Sequence, residues 1–349
     1  MYANLGCLLR ELGLRPRDVL TEKLFFSDIG SQFRELAKIR QYFYGRIAEN
    51  IPATAYLQQP PSHPRRLCEL QAHAVLPGAN EELKVCTVNL GLGLASGKLM
   101  EHRSCRHLYL MNLTGGGVPG DRKAFCAQAE DMFGRAESCL RRQGLSFRDV
   151  IRTWIYMKDI EGDYAAFNPV RTKFFQEHGV ERFPASTGIQ GGTFPGEERC
   201  AMDLYAMGGE GPGETEVMHA PSMNEASSYG SAFSRGLRVT REDRVVAYVS
   251  GTASVDESGK VLHTGDIEGQ VRRMLLNVRL LLGAAGATER DIVSMITYLK
   301  QPGDLESFCR VCDDRSFPRD IPGTVCVADI CRPEWLCEME VIAMFPNRQ

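Results

Sequence analysis

The sequence predicts an α+β protein, an α/β sandwich made of three tandem β-β-β-α-β-α-β-β units of which the first is truncated. Three observations carry that prediction. A segment consisting of a helix end, a Gly, an Asp five residues later and an apolar strand occurs three times in 349 residues. Each occurrence is followed by a second helix and a strand entered through a Pro. Each then closes on a further apolar strand, and self-similarity of this kind marks repeat architecture.

The first occurrence, LLRELGLRPRDVLTEKLFF, begins at Leu8, the second, CLRRQGLSFRDVIRTWIYM, at Cys139, and the third, LLLGAAGATERDIVSMITYL, at Leu280. Gly13, Gly144 and Gly286 stand where a helix ends and the backbone needs φ > 0, and Asp18, Asp149 and Asp291 precede strands rich in β-branched residues. The second helices are FRELAKIRQYFYG, YAAFNPVRTKFFQEHG and LESFCRVCDDRSF. The Pro entries are IPATAY at Ile51, FPASTG at Phe183 and IPGTVC at Ile321. The closing strands are CELQAHAV, AMDLYAMG and CEMEVIAM. Copies two and three also carry an opening strand and helix, RHLYLMNL with KAFCAQAEDMFGRAESCL, and RVVAYVSG with IEGQVRRMLLNVRLLL. Copy one starts inside its first helix, and ELKVCTVNLGLGL from Glu82 is a candidate replacement for its missing strands. Pro- and Gly-rich stretches, LPGANEE from Leu76 and MGGEGPGETE from Met207, read as linkers. The expected division is 1–80, 81–212 and 213–349, with helices covering one face of each sheet.

Composition narrows the function classes. Apolar residues make up 43% and charged residues 24%, which suits a globular protein with sizeable cores. The formal charge of −3 comes without a basic block, so nucleic acid is not an expected partner. The densest basic run, Arg141-Arg142 with Arg148 and Arg152, reads as a solvated face. No apolar run approaches the ~20 residues of a membrane span, and MYANLGCLLRELG has no signal-peptide pattern, so a cytoplasmic location is expected. The twelve cysteines fit a reducing compartment, with Cys86, Cys326 and Cys337 placed in apolar strands. Cys309 and Cys312 form a C-x-x-C with no second pair and no His at zinc spacing, so the pair reads as structural, on a helix, and neither metal nor cofactor is expected.

The chemistry concentrates at CVADICRPEWLCEMEVIAM, Cys326 to Met344. In its final strand Glu338 and Glu340 alternate with Cys337, Met339 and Val341, which puts both carboxylates on one face. Cys331 and Arg332 stand seven and six residues before Glu338, close enough for a hairpin to bring a thiol, a guanidinium and a carboxylate together as an acid/base site with an anion anchor.

Taken in order, SGTAS (Ser250–Ser254), Gln128 or Gln270 in the first helix, the Gly-x4-Asp segments, RTWIYMKDI (Arg152–Ile160) and the CEMEVIAM ending resemble the Rid/YjgF superfamily over most of the chain. Members are usually homotrimers of this chorismate-mutase-like unit. The resemblance therefore implies an intrachain pseudo-trimer, a monomer or a dimer of it, with sites between adjacent repeats and a small-molecule carboxylate as substrate. SGTASVDESGKVLHTGDIEGQ with CRPEWLCEME, and RTWIYMKDI with YAAFNPVR, are similar to chorismatases, which cleave the enolpyruvyl ether of chorismate. Trp154-Ile155-Tyr156 departs from the Trp-Asn-Tyr of those enzymes, and the loop after Ser254 is closer to an ordinary Rid loop. Rid imine deaminases hold the substrate carboxylate with an Arg two residues after the strand-entry Pro. This chain has Thr54, Ser186 and Thr324 there, and a hydroxyl does not replace a bidentate guanidinium. The family's Glu matches Glu69 and Glu338, whereas copy two has Ala201.

The chorismatase resemblance implies Glu338 as general acid toward the enolpyruvyl methylene, with a pKa raised by burial. It places Cys331 at the position that separates hydroxybenzoate-forming enzymes from those releasing a dihydrodiol; a buried strand-end Cys is the alternative. Arg152 and Arg171 are the expected carboxylate anchors, or else ordinary solvated or ion-paired surface residues, with Tyr156 as a hydroxyl donor, Ser186 and Thr187 as donors in the middle cleft and Arg332 beside Glu338. Gly251 permits close approach of a ligand to backbone, and a tight turn explains it equally. Three classes follow: a chorismatase-like hydrolase or lyase, a diverged Rid hydrolase or lyase on another unsaturated or imino metabolite, and a non-catalytic binding protein. Two Arg side chains facing Glu338 favour the first.

Overall fold

The three Gly-x4-Asp segments fold alike. In the computed structural model, which describes residues 1–76, 83–116, 122–193, 198–211 and 213–347, Gly13, Gly144 and Gly286 have φ of +70°, +69° and +84°, a region that only glycine occupies freely. The Asp carboxylates then accept the backbone N–H three residues earlier. Asp18 takes Arg15 at 2.7 Å, Asp149 takes Ser146 at 2.8 Å and Asp291 takes Thr288 at 2.8 Å. Each Asp thus caps a single helical turn and sets the start of the strand that follows.

Copy one comprises α1 (Tyr2–Glu11), β1 (Val19–Phe26), α2 (Ile29–Tyr44), β2 (Ala53–Gln58) and β3 (Cys68–Ala74). Copy two comprises β4 (Lys84–Val88), β5 (Ser96–His102), β6 (Cys105–Thr114), α3 (Arg122–Arg142), β7 (Val150–Met157), α4 (Ile160–Glu177), β8 (Ala185–Gln190), β9 (Gly192–Thr193) and β10 (Cys200–Gly209). Copy three comprises β11 (Glu214–Val217), β12 (Gly236–Thr240), β13 (Arg244–Ala253), α5 (Ile267–Ala284), β14 (Ile292–Leu299), α6 (Leu305–Asp314), β15 (Gly323–Val327) and β16 (Cys337–Pro346). The two complete sheets have one order, β4-β5-β6-β10-β7-β8 and β11-β12-β13-β16-β14-β15; the first is β3-β1-β2-β9. The chain is therefore the α+β pseudo-trimer of tandem units with a truncated first member.

Three sequence expectations are corrected. The segment from Glu82 does not complete copy one: its strand, β4, pairs with β5 at the edge of the second sheet, and the fourth strand of the first sheet is the two-residue β9 from copy two. The stretch from Met207 is mostly strand, belonging to β10 and β11, and the linker expected from Leu76 lies, beyond that residue, outside the described residues. Cys86 is exposed on edge strand β4 rather than buried, whereas Cys326 and Cys337 are buried and Cys312 packs inward from α6.

The inner faces of the three sheets meet at a junction of polar groups. Register makes Glu340, Asp203 and Gln71 equivalent, opposite Ile296, Trp154 and Lys23 respectively. Glu340 accepts from Arg152 Nη2 at 2.9 Å, Trp154 Nε1 at 2.5 Å and the Tyr298 hydroxyl at 3.4 Å. Asp203 accepts from the Tyr156 hydroxyl at 2.9 Å, which itself accepts from Lys23 Nζ at 2.9 Å. Gln71 donates to Ser294 Oγ at 3.2 Å and to the Met295 carbonyl at 3.3 Å. Each group joins two copies. Removing Arg152 leaves a buried carboxylate short of its cation, so Arg152→Ala should destabilise the fold by about 3–5 kcal/mol in urea denaturation; a loss below about 1 kcal/mol would mean that the junction does not hold the copies together.

Candidate active site

A cleft of about 540 Å³ lies between copies two and three. Copy two supplies one wall from α4. Asp159 caps that helix by accepting the Gly162 N–H at 3.0 Å, and Tyr164, Asn168 and Arg171 then recur at helical spacing along the face that lines the cleft. Pro169 sits within the helix and lacks the N–H that would bond to the Ala165 carbonyl; both residues line the cleft. Copy three supplies Phe233 and Arg235 ahead of β12, Gly251 on β13, Cys331, Arg332 and Trp335 from the connection between β15 and β16, and Glu338 on β16.

The floor is stitched across the copies. The Ser186 N–H donates to Ser250 Oγ at 2.8 Å, Ser250 Oγ donates to the Ser234 carbonyl at 2.6 Å, and the Gly251 N–H donates to Thr187 Oγ1 at 3.0 Å. Thr187 also accepts from Arg152 Nη2 at 2.5 Å. Gly251 has no positive φ, so a turn does not require it. Its role is steric: a Cβ there would overlap Glu338 Oε1 and crowd Thr187 Cγ2 at 3.1 Å. The missing side chain makes room for the Glu338 carboxyl, and Gly251 itself lines the cleft.

Glu338 is 3% exposed. Burial, and then the neighbouring Glu340 carboxylate, push its pKa up to about 8, against the opposing pull of Arg235 and Arg152. Cys331 is pushed up to about 12 by burial and by Glu338, with Tyr164 within hydrogen-bonding reach of its sulfur. It is a neutral thiol, not a thiolate. The equivalents of Glu338 differ: Glu69 pairs with Arg66 at 2.6 Å near the surface, and Ala201 has no acid.

Three guanidinium groups line the cleft. Arg171 donates to Asn168 Oδ1 at 2.7 Å and lies over the Phe167 and Phe233 rings. Arg235 is held by the Asn224 carbonyl and Oδ1 at 2.9 and 3.0 Å and also lies over Phe233. Arg332 donates to the Gly259 carbonyl at 2.7 Å and stacks on Trp335. Anchored this way, the guanidinium groups lose little further freedom on meeting an anion.

The structure therefore brings Glu338, Cys331, Arg171, Arg332, Ser186 and Gly251 together. It does not bring Arg152 or Tyr156 to the cleft. Arg152, 1% exposed, is drawn inward by Glu340 and Thr187, which also removes it from the solvated basic face, and Tyr156 is committed to Lys23 and Asp203. Thr187 lies beneath the floor, bonded to Gly251 and Arg152 rather than lining the cleft. Arg235, Tyr164, Phe233 and Trp335 were missed. The CRPEW segment contained Trp335, but Arg235 stands in an irregular stretch before a strand, where no periodicity singles it out. Among the described residues no cluster of three or more His, Cys, Asp or Glu is arranged to hold a metal, and no helix is long and apolar enough to cross a membrane.

Fused sandwich units with a cleft between them define a small-molecule, enzyme-like α+β protein. The endoribonuclease L-PSP family model matches residues 113–206 and 228–345, and the chain belongs to that family, the Rid/YjgF superfamily. The 3-aminoacrylate deaminase RutC of Acinetobacter baylyi is 30% identical over 105 residues, 30% of this chain and 82% of the relative. A RutC family protein of Pyrococcus abyssi is 35% identical over 100 residues, 28% and 76%. A crystal structure of a chorismatase superposes with a TM-score of 0.65 at 17% identity, covering 94% of this chain and 93% of that one; at this identity the likeness is one of fold.

The raised Glu338 pKa has a stability consequence. Between its ordinary value of 4.5 and about 8 the folded chain keeps a proton that the unfolded chain has released, so stability falls as pH rises through this window and levels off above it. Glu338→Gln removes that slope. The variant should gain on the unaltered protein between pH 5 and pH 8 by up to ~1.4 kcal/mol per pH unit in urea denaturation; a stability difference equal at both pH values would show that the carboxyl titrates normally.

Proposed function

We propose that the protein is a chorismatase-like hydrolase or lyase that cleaves the enolpyruvyl ether of a cyclic carboxylate, with Glu338 as general acid. The observation that carries this reading is a buried carboxyl with a pKa of about 8 facing a cleft lined by Arg171, Arg235 and Arg332. A carboxyl protonated at neutral pH can deliver a proton to carbon, and clustered guanidinium groups suit a substrate with two carboxylates. Glu338 gives its proton to the methylene carbon, and the positive charge falls on the ether-bearing carbon. Water adds there and returns a proton to Glu338. The hemiketal then collapses, breaking the bond between that carbon and the ring oxygen to release pyruvate and the ring alcohol. Cys331, as a neutral thiol beside Glu338, is proposed to act in loss of water from the ring, which would yield a hydroxybenzoate. Arg171, Arg235 and Arg332 are proposed to bind substrate.

The 30% identity to a 3-aminoacrylate deaminase supports a second reading, hydrolysis of a small enamine or imine. The absence of the family's Arg after Pro52, Pro184 and Pro322 weighs against it.

Incubation with chorismate should release pyruvate, and Glu338→Gln should lower the rate by roughly 10²–10⁴-fold, the usual contribution of a general acid. The rate should fall about tenfold per pH unit above pH 8 as Glu338 loses its proton. Turnover of 3-aminoacrylate without turnover of chorismate would replace the first reading by the second. Gly251→Ala should displace the Glu338 carboxyl and cost on the order of 100-fold in rate while leaving the thermal midpoint within a few degrees; an unchanged rate would show that the carboxyl position does not matter. Cys331→Ala should shift product from hydroxybenzoate to dihydrodiol, as read by chromatography; an unchanged product ratio would remove Cys331 from the mechanism.

A further inference from the structure

A second cavity, of about 560 Å³, opens where the three sheets converge, and neither Glu338 nor Cys331 lines it. Its walls come from all three copies and are aromatic and thioether-rich, with Tyr109, Trp154, Tyr205, Tyr248, Met111 and Met295 among them. Val293 and Met344, 43% and 39% exposed, line it as well and mark the side open to solvent. Its charged lining is Lys23, Arg152, Arg244 and Glu340; Arg152 pairs with Glu340, and Lys23 and Arg244 pair with Asp203 at 3.7 Å and Asp243 at 3.2 Å, outside the lining. Two details bear on what such a cavity accepts. Arg152 Nη1 is buried and has no hydrogen-bond partner in the protein, although Nη2 of the same guanidinium is fully engaged. Lys23 Nζ lies 3.6 Å from the centre of the Trp154 ring.

We propose that this cavity is a second binding site, for a small planar aromatic molecule carrying one carboxylate. The volume lies within the usual range for small-ligand pockets, and tyrosine, tryptophan and methionine surfaces favour a flat apolar body. A carboxylate supplies the acceptor that Arg152 Nη1 lacks. Leaving a buried guanidinium N–H without an acceptor is costly, so occupancy is favoured at that atom. Arg152 also connects this cavity to the cleft, through Thr187 to Gly251 beneath Glu338.

The chain has two tryptophans, Trp154 and Trp335, so Trp335→Phe leaves Trp154 as sole reporter on this cavity. In that protein, 4-iodobenzoate should quench tryptophan emission saturably through its heavy atom, and 4-iodobenzyl alcohol, which has the same ring without the charge, should bind at least tenfold more weakly. Met344→Glu and Val293→Glu, each adding an anion at a solvent-exposed lining position where the fold tolerates it, should each weaken 4-iodobenzoate at least fivefold. Absence of saturable quenching would overturn the proposal. Equal affinity for the alcohol would overturn it as well, as would binding indifferent to both of these substitutions, which would place the probe elsewhere. None of these readouts depends on turnover of any substrate.

Discussion

The carboxylate of Glu340 is the point on which the architecture turns. It is buried, and its three donors, Arg152, Trp154 and Tyr298, come from two copies. A charge taken out of water is tolerated only when its hydrogen-bonding capacity is met, so the copies are held in the one arrangement that satisfies it. Hydrophobic burial would tolerate small slides of one sheet over another; a carboxylate with three directional partners does not. Asp203 and Gln71 do the same work at the other two junctions with different chemistry, one through Tyr156 and Lys23, the other through an amide and neutral acceptors.

The same strand sets the electrostatics of the cleft. Glu338 and Glu340 lie two residues apart on one face of β16, so the carboxylate that fixes the assembly also raises the pKa of the one that faces the cleft. Assembly and acidity share a residue. Arg152 opposes that effect while bonding to Glu340, so replacing either member of the pair moves stability and Glu338 acidity together. Arg235 acts on Glu338 from the cleft side, held by the carbonyl and side chain of Asn224.

The repeat, its helix-ending glycines and the closing strand were all legible in the sequence, because they rest on local chemistry: Gly at positive φ, Asp as a cap, period-two apolar strands. Glu338, Cys331 and Arg332 were legible because they stand within eight residues of one another in the sequence, although no hairpin joins them: β15 and β16 are separated by β14, and the connection crosses over it. Arg152 and Tyr156 misled, since a strand residue's type says nothing about whether it faces a cleft or a junction; their partners, Glu340 and Asp203, come from other strands, and Glu340 from another copy. Arg235 stayed hidden for the converse reason: its importance comes from sheet β11-β12-β13 turning it toward α4 of copy two. The replacement strand for copy one was wrong because an apolar run does not name its sheet; the pairing of β4 with β5 does.

Fusion of the three units into one chain has a consequence for how such a molecule changes over time. In an assembly of identical subunits, one altered codon appears at every junction and every cleft, so an improvement at one place must be acceptable at all of them. Here Glu338, Ala201 and Glu69 occupy equivalent places yet are inherited separately, as are Glu340, Asp203 and Gln71. One position can specialise in reactivity while its counterparts drift toward a purely mechanical role.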